Sequence, residues 1–384
     1  MQKEDQTLLA ALQSYLDLPL ERIRTFEPGH YTSEPFYDLE VEHIWKKQWI
    51  NVGHVSEIRE AGDYFSIDLI GEPMMIVRGK DMHIRALSTV CRHRYMLVAL
   101  DKESGNKSSF RCPYHHWTYA LDGKLVSATY MDGHKDFDRN KVCLPQFRIE
   151  ISNDLIWVNL DDDAEPLAPR LSELNELFSV YTCGDDWDMT NLYDKLWPGN
   201  WKNFAENNME GYHHMGLHKN TLETYSPTRN TANVTYGEWW TRYQVLYDMD
   251  LEPARDLIEQ SNWQPGDMHQ DKPCLDILMI HPGNAFVIYP GGAGFYSLWP
   301  VAVDQVRYRA GSVRPGDMER FDPDGEPYDS FRALDEDGES MPHIARGVQS
   351  SRAAAGHLTW MEEPILRWMQ WIARRILHGE TAKQ

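Results

Sequence analysis

A chain of 384 residues is longer than one ordinary core requires, so two domains are expected, or one large domain carrying a smaller inserted one. Its 38 Lys and Arg against 59 Asp and Glu leave a net charge of −21, which argues against nucleic acid and against an anionic membrane surface as partners and suits a basic protein partner. Fourteen Trp, nineteen Tyr and sixteen Met supply the apolar core of a globular enzyme, and no apolar run approaches the length needed to span a bilayer.

The opening Met1-Gln2-Lys3-Glu4-Asp5 has no signal-peptide core, and the chain is read as cytoplasmic. Residues 1–30 are polar and weakly patterned. Apolar positions at helical spacing from Pro35 to Trp45 then predict one lead-in helix. From Trp49 to about Val126 short β-rich runs (Tyr64–Ile67, Met74–Arg78, Ile84–Leu87) alternate with Gly-containing turn signals, which predicts a small all-β unit closed by the strand Leu155–Leu160. Asp161-Asp162-Asp163-Ala164-Glu165-Pro166 reads as a linker. The expected divisions are a lead-in over 1–48, the β unit over 49–165 and a second domain over 166–384. That domain is expected to be helical around 170–180 and 199–218, with strands at Ile277–Ile280, Ala285–Tyr289 and Gln305–Ala310. An acidic loop at 316–330 and an amphipathic helix from about His357 to Leu377 complete it. The fold class is α+β.

Five cysteines, an odd number in a long chain, do not form a disulfide framework, and closely spaced ones point to metal. Cys91-Arg92-His93 and Cys112-Pro113-Tyr114-His115 form a Cys-x-His pair and a Cys-x-x-His pair. Structural zinc loops open with paired cysteines and close with paired histidines; a mixed pair in each loop fits a Rieske [2Fe–2S] cluster, where two thiolates hold one iron and two imidazoles the other. Cys143, Cys183 and Cys274 lack such neighbours.

The stretch from Glu206 to His218 packs two carboxylates and three imidazoles into thirteen positions, more than core packing requires. Two imidazoles and one carboxylate with open positions is the ligand set of mononuclear non-haem iron that activates dioxygen. His213 and His218 are five apart, roughly 140° around an ideal helix, so if both bind one metal the helix must break or bulge near Gly216. His214 with His218, four apart, is the rival pair. The carboxylate must arrive by folding, and Asp335, Glu336, Asp337 and Glu339 form the most suggestive knot.

With these two motifs in place, the sequence resembles the oxygenase (alpha) subunit of Rieske non-haem iron aromatic-ring-hydroxylating oxygenases, from about Trp49 to the C-terminal helix. The resemblance implies a Rieske domain followed by a helix-grip (START/SRPBCC-like) catalytic domain with an antiparallel sheet and a long C-terminal helix. Cys91, His93, Cys112 and His115 would hold the cluster. His213, His218 and Asp337 would hold the mononuclear iron, with Asp335 as fallback, and His214 would be a neighbour. Glu210 would bridge to the cluster histidine His115 of an adjacent subunit, and Asn207 matches another functional position. Arg92 and Tyr95-Met96 depart from the family's usual residues. The resemblance further implies oxygen as cosubstrate and electrons drawn from NAD(P)H through a ferredoxin or flavin reductase. It also implies a homotrimer and hydroxylation of a small, aromatic organic substrate.

Tyr212, His214, Trp239, Trp240, Tyr243, Phe286 and Trp299 are pocket candidates. An aromatic cage with an acid suits a trimethylammonium group equally well, so oxidative N- or O-demethylation is the alternative reading. A reading from another class is an electron-transfer or zinc-structured binding protein without turnover.

Overall fold

The computed structural model describes residues 3–174, 187–261, 272–315 and 331–379. The expected helical segment around 170–180 falls partly outside them, and Cys183 and the acidic loop at 316–330 fall wholly outside. The chain divides into two compact units, Asn51–Glu165 and Met1–Ile50 together with Pro166–Gln384.

The smaller unit is all-β. Its main sheet has the order β1 (Ile50–His54), β10 (Leu155–Asn159), β9 (Gln146–Ser152), β4 (Ile84–Ser88), β3 (Glu72–Arg78), β2 (Asp63–Leu69) and β5 (Ser104–Asn106). A three-stranded sheet is formed by β6 (Phe110–Arg111), β7 (Thr118–Tyr119) and β8 (Leu125–Ser127). One core of Tyr64, Met75, Val77, Leu87, Phe110, Trp117, Tyr119 and their neighbours includes both Cys91 and Cys112. The two cysteines are therefore presented from the rim of a packed core, on loops whose ends the strands fix.

The larger unit holds a seven-stranded antiparallel sheet in the order β11 (Trp187–Pro198), β17 (Gln305–Pro315), β16 (Gly292–Ala302), β15 (Asn284–Tyr289), β14 (Cys274–Ile280), β13 (Trp240–Leu246) and β12 (Thr231–Tyr236). β14 is buried along its whole length, as a strand covered on both faces must be. Five helices matter for the site: α1 (Lys3–Gln13), α2 (Glu34–Glu40), α3 (Trp201–Asn207), α4 (Arg332–Val348) and α5 (Glu363–His378).

Four of these differ from the sequence reading in ways that bear on the fold. Residues 3–13 form a helix in a stretch that carries little pattern. The expected lead-in helix is α2 followed by a π turn at Val41–Trp45. The acidic knot at 335–339 lies inside α4, a helix of its own that runs through Gly338 and Pro342. The terminal helix begins at Glu363, because Thr359 and Glu362 form a capping box around a short 3-10 turn and Pro364 occupies the first helical turn. Its buried residues Ile365, Leu366, Met369, Ile372, Ala373 and Ile376 recur at helical spacing.

Tryptophans tie α3 into this unit. Trp201 packs edge-on against Trp45 (ring centroids 4.8 Å) and Trp368 (5.3 Å), each such pair contributing about 0.5–1.5 kcal/mol beyond its area. Lys202 and Glu40 form an ion pair with both side chains wholly buried, 2.7 Å apart, and Trp201 Nε1 donates to the same carboxylate at 2.8 Å. Among the described residues no helix is long and apolar enough to cross a membrane.

Candidate metal centres

Two loops of the smaller unit are built alike. The peptide N–H of Cys91 donates to Met96 O (2.9 Å) and that of Cys112 to Trp117 O (2.8 Å). Each cysteine carbonyl accepts from the residue four further on, Tyr95 (3.1 Å) and His116 (3.0 Å). Tyr95 and His116 both stand in left-handed backbone, at φ 62° and 60°, a conformation that costs a side-chain-bearing residue on the order of 1–3 kcal/mol and recurs where a loop is shaped for function. The cysteines are buried (Cys91 1 %, Cys112 2 % exposed), whereas His115 is exposed and its ring lies 4.6 Å from that of His93.

Like ligands are thus paired with like, thiol beside thiol inside and imidazole beside imidazole outside. Burial pushes the Cys112 thiol up, the peptide N–H groups of Tyr114 and His115 oppose it, and the adjacent Cys91 adds to it. Tyr119 OH lies 3.2 Å from Cys91 Sγ and accepts the Arg92 peptide N–H at 3.0 Å. The His93 ring stacks on Trp117 at 4.9 Å. A group with one iron held by two thiolates and the other by two imidazoles fits this arrangement.

The second centre begins at α3, whose N-terminus is capped by the Asn200 side chain accepting from Lys202 N at 3.0 Å. The helix stops at Asn207, well before Gly216, so the break falls earlier than the histidine spacing suggests. Asn208 turns aside to bond Tyr308 OH (3.0 Å), and a 3-10 turn starts at Tyr212. Glu210 fixes that turn by accepting the His213 peptide N–H (3.0 Å) and holds His213 Nδ1 with its other oxygen at 2.6 Å. Its own carbonyl accepts from Tyr243 OH at 2.9 Å.

His213 rides on this turn and His218 on the next. Their rings lie 4.9 Å apart, and Asp337 of α4 meets both, with Oδ1 3.0 Å from His218 Nε2 and 3.6 Å from His213 Nε2. Among the described residues this is the group of three whose ligand atoms lie within 4.8 Å of one another. Asn207 Nδ2 donates to the same oxygen of Asp337 at 3.2 Å. Asp335 points elsewhere, to Lys195 (2.5 Å) and Tyr193 OH (2.8 Å), and Glu339 is exposed. The His218 ring is 1 % exposed, yet its Nε2 makes no hydrogen bond, although a carboxylate stands 3.0 Å away. That orphaned nitrogen is what a ligand awaiting a cation looks like, and the donor set of two imidazoles and one carboxylate fits iron.

Burial lowers the pKa of His213 and of His218, but Glu210 outweighs it at the first and Asp337 with Glu336 at the second, so both end raised. His214 is buried beside them without a carboxylate, and burial followed by the charges of His213 and His218 holds it well below the usual imidazole range. It stands outside the triad. Glu362 lies within electrostatic reach of Glu210 and His213, and Glu206 of Glu362; each is pushed up to about 7, chiefly by burial.

The register of the sheet sorts the pocket candidates. Tyr243 pairs with Ile277, Ile277 with Val287 and Val287 with Gly294, so these share the face that meets Glu210. Tyr289, Tyr296 and, through its partner Leu298, Tyr308 stand on it too. Trp240 and Phe286 are an odd number of residues from Tyr243 and Val287 and stand on the opposite face, a correction to their expected place in a pocket; Trp240 Nε1 donates to Glu173 at 2.9 Å. Trp299 shares that opposite face. Trp239 is sandwiched between the guanidinium groups of Arg170 (4.4 Å) and Arg375 (4.3 Å), a packing role. Tyr212 is 41 % exposed.

The iron-side wall is instead tyrosine. Tyr296 lies back over Gly294 and Tyr289 over Gly292, where a Cβ would come within 2.9 and 2.8 Å of the respective side chains, while Tyr225 packs edge-on against Tyr247 at 5.1 Å. Burial raises the phenol pKa of Tyr225, Tyr243, Tyr247, Tyr296 and Tyr308; the next influence is the Glu210 carboxylate at Tyr243 and a neighbouring tyrosine at each of the others. The sequence reading missed all of these except Tyr243; the available signal was tyrosine beside the small residues of Gly291-Gly292-Ala293-Gly294.

Residues 184–378 match the Ring hydroxylating alpha subunit (catalytic domain) family, and residues 48–147 match the Rieske [2Fe-2S] domain family. The chain is 31 % identical over 221 residues to the carnitine monooxygenase oxygenase subunit of Escherichia coli (strain K12), covering 57 % of this chain and 58 % of that one. It is 30 % identical over 201 residues to the benzene 1,2-dioxygenase subunit alpha of Pseudomonas putida, covering 51 % and 44 %. The chain thus aligns with 58 % and 44 % of the length of these two curated relatives. Its fold is similar to that of a quaternary ammonium Rieske monooxygenase described for carnitine oxidation and inter-subunit electron transfer, with a TM-score of 0.77, 23 % identity, and 93 % and 98 % of the two chains covered.

Proposed function

The chain belongs to the ring-hydroxylating oxygenase alpha-subunit family, and we propose that it is the terminal oxygenase of a multicomponent system, spending dioxygen and reductase-supplied electrons on a small organic substrate. The observation that carries this reading is the triad of His213, His218 and Asp337, whose ligand atoms all lie within 4.8 Å of one another. In this reading those three residues hold mononuclear iron, and Cys91, His93, Cys112 and His115 hold the [2Fe–2S] cluster. When bound, the two groups supply electron storage and reductive oxygen activation, chemistry that belongs to the cofactor.

The chain's own residues do the rest. Glu210 fixes the His213 tautomer by accepting at Nδ1, so that Nε2 faces the metal. Asn207 steadies the Asp337 oxygen that faces both histidines. Tyr243 anchors the Glu210 backbone from the sheet. The tyrosine wall lines the iron side, keeps water from the reacting carbon and positions it. Glu210 is also the candidate link to His115 of a neighbouring copy, in a homotrimer served by a ferredoxin or flavin reductase.

Two substrate classes suit a tyrosine wall. A ring stacks on it and is hydroxylated, as the family description suggests. The second reading, oxidative N-dealkylation of an alkylammonium cation, draws support from the same wall, since the faces of tyrosine rings attract a cation. A reductase-coupled assay tests both. Substrate-dependent oxygen uptake with hydroxylated ring product supports the first, and release of formaldehyde with the dealkylated amine supports the second. Absence of substrate-dependent uptake across arenes and alkylammonium compounds, in protein carrying both iron groups, would refute the oxygenase reading.

A further inference from the structure

Glu336 is the residue before Asp337 on α4, and neither the family resemblance nor the motif spacing gives it a part. Its carboxylate points inward. Oε2 accepts from Thr221 Oγ1 at 2.7 Å and lies 2.7 Å from His218 Nδ1, the nitrogen opposite the one that faces Asp337. The turn that carries these partners is itself closed, with Thr221 N donating to His218 O at 3.0 Å and Thr221 Oγ1 within 3.3 Å of the same carbonyl. Arg332, one helical turn back, reaches the other carboxylate oxygen only at 3.6 Å. A solvated helix acid would pair with that arginine and leave the histidine alone.

We propose that Glu336 is a positioning residue for the metal. By accepting the Nδ1–H of His218 it fixes the tautomer whose Nε2 is free to bind, holds the ring plane, and makes the imidazole a stronger donor. Two consecutive residues of one helix thereby clasp one imidazole, Asp337 at Nε2 and Glu336 at Nδ1, and Glu210 does for His213 what Glu336 does for His218.

This rests on the iron reading proposed above. The test uses the full chain with its cluster in place and the mononuclear site emptied, then loaded with Fe(II) against a competing chelator or with Co(II) read by its visible ligand-field bands. Glu336→Ala is expected to weaken Fe(II) binding about 10–100-fold and to displace the Co(II) bands, with the cluster absorption unchanged. Glu336→Gln, whose amide oxygen can still accept from Nδ1–H, is expected to fall between Ala and the parent, a rescue that simple loss of packing would not produce. Glu336→Ala binding Fe(II) within twofold of the parent, with superimposable Co(II) bands, would overturn the proposal. Should that variant not fold, Glu336→Leu, which fills the volume but cannot accept from Nδ1–H, decides by the same bands: displaced supports the proposal, superimposable overturns it. If the parent itself takes up neither metal at this site, the iron reading fails and the proposal with it.

Discussion

Gly338 to alanine is the smallest change that should displace the metal centre without touching a ligand. A Cβ at this position would fall 2.3 Å from Trp197 Cε2 and Cζ2 and 2.8 Å from Cδ2. Carbon atoms prefer a separation of about 3.5–4.0 Å, so the deficit is more than about 1 Å. Trp197 sits on β11 with Nε1 donating to Tyr193 OH at 3.1 Å, and yielding would break that bond. The alternative is for α4 to retreat, and Asp337 is the adjacent residue. Its Oδ1 is 3.0 Å from His218 Nε2, and metal sites tolerate ligand shifts of only about 0.2 Å, so a retreat approaching 1 Å takes Asp337 out of range. Overpacking costs about 1–3 kcal/mol, but alanine is about 1 kcal/mol better than glycine inside a helix. Thermal stability is therefore a poor readout. Iron content beyond the cluster is the sensitive one, expected to fall at least about tenfold at limiting iron with the Rieske absorption intact. A Gly338→Ala protein that retains parental iron and turnover would show that Trp197 or the helix accommodates the methyl freely, and the reasoning about α4 would be wrong.

Other expectations follow from the buried polar groups. Replacing Lys202 with methionine leaves Glu40 buried and unpaired, and should lower unfolding stability by about 3–5 kcal/mol; the double change with Glu40→Gln should recover much of it, as denaturant titration would show. Glu206 has its pKa raised from 4.5 to about 7, so its contribution is fully present below about pH 4.5 and is lost as pH rises toward 7. The loss is at most about 3 kcal/mol, less to the extent that water reaches this half-buried group. Glu206→Gln, which preserves an acceptor for Tyr31 OH, should flatten the fall in thermal midpoint across that interval relative to the parent, and an unchanged slope would count against the assignment. Tyr119→Phe removes the hydroxyl 3.2 Å from Cys91 Sγ and should lower the cluster potential, by about 40 mV for each ~1 kcal/mol of stabilisation lost from the reduced state, measured by spectroelectrochemical titration.

Both motifs are legible in the sequence because their ligands are local: each Cys/His pair and the His213/His218 pair is supplied by one short loop or turn. Three of the seven strands of the larger sheet, β14, β15 and β17, were legible in their β-rich runs. The orientation of the sheet's side chains was not, because a single residue of register sends Trp240 and Phe286 to one face and Tyr289, Tyr296 and Tyr308 to the other, and no isolated strand reveals its parity relative to the site. The acidic knot at 335–339 looks like a loop because Gly338 and Pro342 interrupt the helical pattern. In the fold the glycine is required by Trp197, which is a tertiary fact. The histidine spacing carried the need for a broken helix but misplaced it, since the break is enforced by Asn208 and Glu210 finding partners outside the helix. Glu336 stood among the four candidate acids, but its contact was not legible, because its partner His218 is 118 residues away.

If His213, His218 and Asp337 hold a mononuclear iron separate from the cluster, metal analysis paired with the Rieske spectrum will show it. The parent should carry about three irons per chain, two of them in the cluster. His213→Ala should retain the cluster pair and its spectrum, lose the remaining iron, and lose at least about 100-fold of any substrate-dependent oxygen uptake, since removing a ligand should cost no less than removing the acid that orients it. A His213→Ala protein that keeps the full iron complement would contradict the account.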